Sequence, residues 1–212
     1  MNTEELPSSD HQSFRATNDD TSSVENELAV LQPEKITFDE KNFSLLINLS
    51  AETIQTDELT ESAASHHMTK KPEFHITAFG FKTGSEIKKA VKASGNPKLF
   101  TQIKQLIETA DFSYRLEPTR SHIAKDYPLD PQHPDREPEH RESYIQMVSV
   151  PGLTKLYNDI NALLGTHLEP PPTHITLFTG STYPENASQG IGIPTQAEFE
   201  KLDRRHIAET QK

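Results

Sequence analysis

The sequence predicts an α+β domain, an antiparallel sheet covered by helices. Three observations lead there. Segments of strand and helix periodicity follow in the order strand, strand, helices, strands, helix, strand, strand, helix. Gly and Pro punctuate the joints between them. The pattern H-I-T-x-F occurs twice, in Phe74-His-Ile-Thr-Ala-Phe79 and Thr173-His-Ile-Thr-Leu-Phe178, and this distant self-similarity suggests two related lobes.

Taken in order, residues 1–35 are rich in Ser, Thr, Asn, Asp and Glu without an apolar period. They are expected to form a disordered acidic tail, with the folded domain spanning 36–212. Phe43 to Leu49 reads as a buried strand and Glu73 to Phe81 as a second, with a weakly helical polar stretch, residues 51–68, between them. Gly84-Ser85 opens a helix carried by Ile87, Ala90 and Val91. Gly95-Asn96-Pro97 stops it and starts another through Leu99, Ile103 and Ile107.

Phe112 to Leu116 alternates as a strand that continues toward Tyr127, and prolines at 128, 131, 134 and 138 mark a charged loop over 128–140. Ser143 to Val150 is a strand, Pro151 starts a helix reaching Leu164, and Gly165 ends it. Thr173 to Thr179 is the second motif strand and Gly190 to Ile193 a short strand. Thr195 caps a final helix through Phe199, Leu202 and Ile207.

Composition narrows the chemistry. The 212 residues include no cysteine, which removes disulfides, thiolate nucleophiles and Cys-ligated zinc. The start, MNTEELPSSDHQSF, has no basic-then-apolar leader and no apolar run approaches a bilayer span, so a soluble cytoplasmic protein is expected. Of the net charge of −11, residues 1–35 carry −6. The remainder has no electrostatic footprint for a long nucleic-acid duplex. The expected ligand is a small nucleotide or an RNA end bound by local positive potential to a monomer.

The repeated motif carries the chemistry. Side chains alternate along a strand, so His75, Thr77 and Phe79 are expected on one face, and His174, Thr176 and Phe178 likewise. The other face of each strand is apolar and suited to burial. A pair of imidazoles can hold one neutral ring as general base and one protonated ring as general acid near neutral pH. Thr hydroxyls can donate to non-bridging phosphate oxygens where charge accumulates. An in-line displacement asks for facing nitrogens of His75 and His174 roughly 5–9 Å apart.

With His75 and Thr77 in one motif and His174 and Thr176 in the other, about a hundred residues on, the chain resembles the two-histidine (2H) phosphoesterase superfamily, over roughly residues 40–205. That superfamily includes RNA 2′,3′-cyclic phosphodiesterases and 2′-5′ RNA ligase-like proteins. The resemblance implies a bilobal pseudo-two-fold fold, antiparallel sheets with helices on the outer faces, and the four motif side chains in a central cleft. It also implies hydrolysis of a cyclic or 2′-5′ phosphodiester without metal or other cofactor.

Two readings compete with it: a non-catalytic nucleotide or RNA-end binding module, and a metal-dependent phosphohydrolase. Tyr144 and Gln146 share a face of the strand before the second motif and are candidate substrate contacts, against the alternative of an ordinary exposed face. Tyr183 is a candidate to close over a ligand, and Phe79 and Phe178 to stack on a base, with core packing favoured for both phenylalanines. His66, His67, His122, His133, His140 and His167 show no metal-ligand spacing and read as solvated, with His122 and Lys125 as further candidate contacts.

Overall fold

A computed structural model describes residues 28–128 and 135–207. Their strands are β1 (Lys35–Asp39), β2 (Ser44–Leu49), β3 (Thr69–Lys70), β4 (Phe74–Phe79), β5 (Arg115–Tyr127), β6 (Glu139–Ser149), β7 (His174–Ser181) and β8 (Asp203–His206). The helices are α1 (Thr60–Ser65), α2 (Phe81–Ser94), α3 (Lys98–Thr109), α4 (Gly152–Leu164) and α5 (Gln196–Glu200). All eight strands belong to one antiparallel sheet, ordered β1-β2-β4-β7-β6-β5-β8, with β3 alongside β7.

The two faces of the sheet differ. Leu45 and Ile47 of β2, Phe74 and Ile76 of β4, and Ile175 and Leu177 of β7 bury into one core with Ile87 of α2, Ile103 of α3, and Leu153, Leu156 and Ile160 of α4. Each aliphatic side chain fully removed from water contributes about 1.5–3 kcal/mol, so this layer holds the helices in place. On the other face Ile123 of β5 and Ile145 of β6 form a smaller cluster with Ile191, Ile193 and Phe199.

Several sequence expectations change. The domain begins before Ile36: Leu31 and Tyr114 exchange backbone hydrogen bonds of 2.8 and 3.0 Å, and Lys35–Asp39 adds an edge strand against β2. Residues 1–27 of the expected tail lie outside the described residues. Helix α2 starts at Phe81, not at Gly84, which sits in its first turn, where a Cβ would lie 2.4 Å from the Asn42 carbonyl oxygen and only glycine fits. The stretch 190–193 is a loop, not a strand. Thr195 does cap a helix, its Oγ1 accepting from the Glu198 N–H at 3.2 Å, but that helix ends at Glu200. Asp203–His206 then pairs along the free edge of β5, where ladder hydrogen bonds replace the extra helical turns. No helix among the described residues is long and apolar enough to cross a membrane.

Candidate active site

Both motif strands break their alternation at the same place. The β2–β4 ladder pairs Leu46 with Thr77 and Leu45 with Phe79, skipping Ala78. The β6–β7 ladder pairs Ile145 with Thr176 and Tyr144 with Phe178, skipping Leu177. Each H-I-T-x-F segment therefore carries a one-residue bulge between its Thr and its Phe, and the extra residue reverses which face the Phe occupies. Phe79 and Phe178 consequently leave the His/Thr face and are buried, edge-on to Tyr157 (5.3 Å between centroids) and Tyr144 (6.1 Å). This corrects the expected common face and places both phenylalanines in the core. The bulged carbonyls find partners: the Tyr157 hydroxyl donates to Ala78 at 2.8 Å, and the Lys71 N–H donates to Leu177 at 2.9 Å.

Strands β4 and β7 meet through the ladder pair Ile76↔Ile175. Continuing that register by one residue sets His75 opposite Thr176 and Thr77 opposite His174. The two histidines are then diagonal neighbours, a relation in which the residues stand about 7–8 Å apart in an antiparallel pair. All four side chains line a cleft of about 460 Å³. Its walls are the start of α2 (Gly80 to Thr83), Lys125 and Tyr127 of β5, Pro171 and Pro172, and the loop Gly190–Pro194. That loop presses on the site: a Cβ at Gly190 would lie 3.3 Å from Thr176 Oγ1.

The electrostatics suit an anion. Lys71, Lys82 and Lys125 line the cleft against one carboxylate, Glu198, which lies 3.9 Å from Lys82. The fourteen-residue α2 points its N-terminus into the cleft with neither a side-chain cap nor an acidic residue in its first turn. Its first N–H groups and positive dipole end are thus free for a negatively charged ligand.

Burial is the main cause that lowers the His75 pKa below 6.5; Lys71 lowers it further and Glu73 opposes. Burial also lowers His174, with the Pro172 carbonyl opposing and the charge of His75 adding to the effect. The His174 Nδ1–H donates to the Pro172 carbonyl at 3.0 Å, leaving Nε2 as the ring's lone-pair nitrogen. His75 makes no such bond among the described residues.

Of the other sequence candidates, Lys125 lines the cleft but Tyr144 and Gln146 do not. The even-numbered residues of β6 face the helix-covered side, while Ile145 faces the cleft side. Tyr144 hydrogen-bonds Ser62 Oγ at 2.7 Å, and Gln146 accepts from Arg120 Nε at 3.3 Å and donates to the Glu117 carbonyl at 2.9 Å. Their roles are internal. Tyr183 donates to the Glu137 carbonyl and stacks under Arg136, also away from the cleft. His122 shares the Tyr144 face and meets His66 and Glu142, three residues that sequence spacing did not connect. His133 lies outside the described residues.

The walls that sequence reading missed are Lys71, the start of α2, Tyr127 and the Gly190–Pro194 loop. The signals were slight: Gly80 directly after the first motif, and two glycines in four residues after the second. No family model, curated protein or solved structure matches the chain.

Proposed function

We propose that the chain is a metal-independent phosphodiesterase of the 2H kind, opening a cyclic phosphate or a 2′-5′ phosphodiester of a nucleotide or RNA end. One observation carries this reading: both His-x-Thr pairs converge in one cleft across the Ile76–Ile175 pair, one pair from each motif strand. The finer reading of the fold as two lobes related by a pseudo-two-fold axis rests on the same pair, about which the two motifs interchange.

In this mechanism one neutral imidazole takes a proton from water as its oxygen bonds to phosphorus. The other imidazole, protonated, gives its proton to the ester oxygen as the P–O bond breaks. Thr77 and Thr176 donate to the non-bridging oxygens, whose charge grows as the fifth oxygen approaches. The lysines and the start of α2 hold the anion. The resting rings are pushed toward neutrality, which supplies the base; the bound phosphate's negative charge favours protonation of the partner ring.

The test is turnover of 2′,3′-cyclic nucleotides and 2′-5′ dinucleotides in a chelator. Hydrolysis that is lost in His75→Ala and His174→Ala is expected. Tight binding without turnover would leave a binding module, and activity restored only by a divalent ion would indicate a metal-dependent hydrolase.

A further inference from the structure

On the sheet face opposite the cleft, two imidazoles and a carboxylate meet without a role in that chemistry. His66 caps the C-terminal end of α1, His122 lies on β5 and Glu142 on β6, where the ladder pairs His122↔Tyr144 and Ala124↔Glu142 make His122 and Glu142 diagonal neighbours. One oxygen, Glu142 Oε1, lies 3.0 Å from His122 Nε2 and 3.6 Å from His66 Nδ1. The three donor atoms all fall within 4.8 Å of one another. We propose that His66, His122 and Glu142 form a binding site for a divalent cation of the zinc class.

The geometry supports it quantitatively. Bonds of about 2.0–2.1 Å to a tetrahedral zinc put neighbouring ligand atoms roughly 3.4 Å apart; the separations of 3.0 and 3.6 Å from Glu142 Oε1 bracket that value, and the two imidazole nitrogens lie within 4.8 Å of each other. A His122–Glu142 hydrogen bond accounts for the 3.0 Å contact alone. It does not account for a second ring brought to the same oxygen from a separate element at a distance too long for a hydrogen bond. Two imidazoles with a carboxylate are a donor set that zinc accepts, leaving a fourth position for water. The side chains of His66, Glu142 and His122 are 39, 23 and 12% exposed, so the site opens to solvent on the His66 side. Binding releases no proton if the neutral His122 ring moves its hydrogen from Nε2 to Nδ1 and ligates through the freed lone pair.

The surroundings hold the three ligands. The Tyr144 ring stands edge-on to His122 at 5.2 Å and to His66 at 6.2 Å, while its hydroxyl bonds Ser62 on α1. That contact ties the element bearing His66 to the strands bearing the other two. His67 follows in the left-handed region (φ 55°), turning the chain from α1 into β3 and fixing where the helix ends. Arg205, paired with His122 in the β5–β8 ladder, is the opposing charge; its side chain is 73% exposed and lies 3.8 Å from Asp203. The site is separate from the cleft and does not depend on the chemistry proposed there.

Calorimetric titration of the chelator-stripped full chain with zinc chloride decides the matter. One zinc per chain and a raised Tm are expected. His66→Ala, at an exposed helix end, should weaken binding by roughly 10² and abolish the Tm shift, with the metal-free Tm reporting any loss of packing. His122→Ala should do the same, and His75→Ala should bind zinc like the unaltered chain. Absence of a one-to-one zinc site, undiminished binding by His66→Ala, or loss of binding in His75→Ala would each overturn the proposal.

Discussion

The hydroxyl of Tyr157, on α4, donates to the carbonyl of Ala78, the residue that the β2–β4 ladder skips. A bulge leaves a backbone acceptor without a ladder partner, and in the core such a group costs about 1–3 kcal/mol if unmet. Tyr157→Phe should therefore lower stability by about that amount in denaturant titration, with the larger effect on turnover than on substrate binding, because His75 and Thr77 sit on the strand whose bend it secures. An unchanged midpoint would mean that the carbonyl finds water instead.

Replacing His75 or His174 by Ala should reduce kcat by about 10²–10⁴, the usual contribution of one positioned acid or base. The double replacement should cost little more than either single change, since each ring needs the other to complete a turnover. Single-turnover rates across the three variants measure both points.

Burial lowers both histidines below 6.5 in the free protein, and the charge of His75 lowers His174 further. The proposed mechanism needs one ring protonated and one neutral. The maximum of kcat/KM must lie between the two apparent pKa values, hence on the acid side of 6.5. The profile of kcat should move to higher pH, because bound phosphate favours imidazolium. A kcat/KM maximum well above neutrality would contradict the lowered pKa values.

Stability carries the same signature. A histidine with its folded pKa below 6.5 binds fewer protons folded than unfolded as pH falls below that value, so stability is full above 6.5 and declines through the folded pKa. His174→Gln should flatten this decline in a series of unfolding midpoints between pH 7 and 5. An equally steep decline in the variant would assign it elsewhere.

Gly190 should tolerate no branched side chain. The Cβ of a Val there would already press on the Thr176 hydroxyl at 3.3 Å, and its methyl groups have only the cleft or the Thr to enter. Gly190→Val is expected to lower kcat/KM by tenfold or more, a loss of about 1.4 kcal/mol in transition-state stabilisation, with Tm little changed. Gly192→Ala, where a Cβ meets nothing within 4 Å, is the matched control.

Hydrophobic periodicity sufficed for β2, β4, β7 and the three long helices, because their apolar positions repeat at the period of the element and bury where it implies. His75, Thr77, His174 and Thr176 were legible for the same reason: each pair precedes its bulge, where simple alternation still holds. Beyond the bulge it fails, and Phe79 and Phe178 changed faces. Tyr144 and Gln146 failed differently. Both faces of β6 are covered, so alternation told their common side but not that the cleft lay on the other. The strand Asp203–His206 is polar throughout and forms on an edge supplied by β5, a fact of tertiary position that no local pattern encodes. The meeting of His66 with His122 and Glu142 has the same origin.

The local two-fold relation at Ile76–Ile175 would, if complete, make the two histidines interchangeable, with nothing to decide which gives and which receives a proton. Pro172 ends that degeneracy. By holding one hydrogen of His174, its carbonyl fixes a tautomer on one side of the axis, while His75 has no counterpart among the described residues. In the proposed chemistry, that difference gives a locally two-fold site a direction.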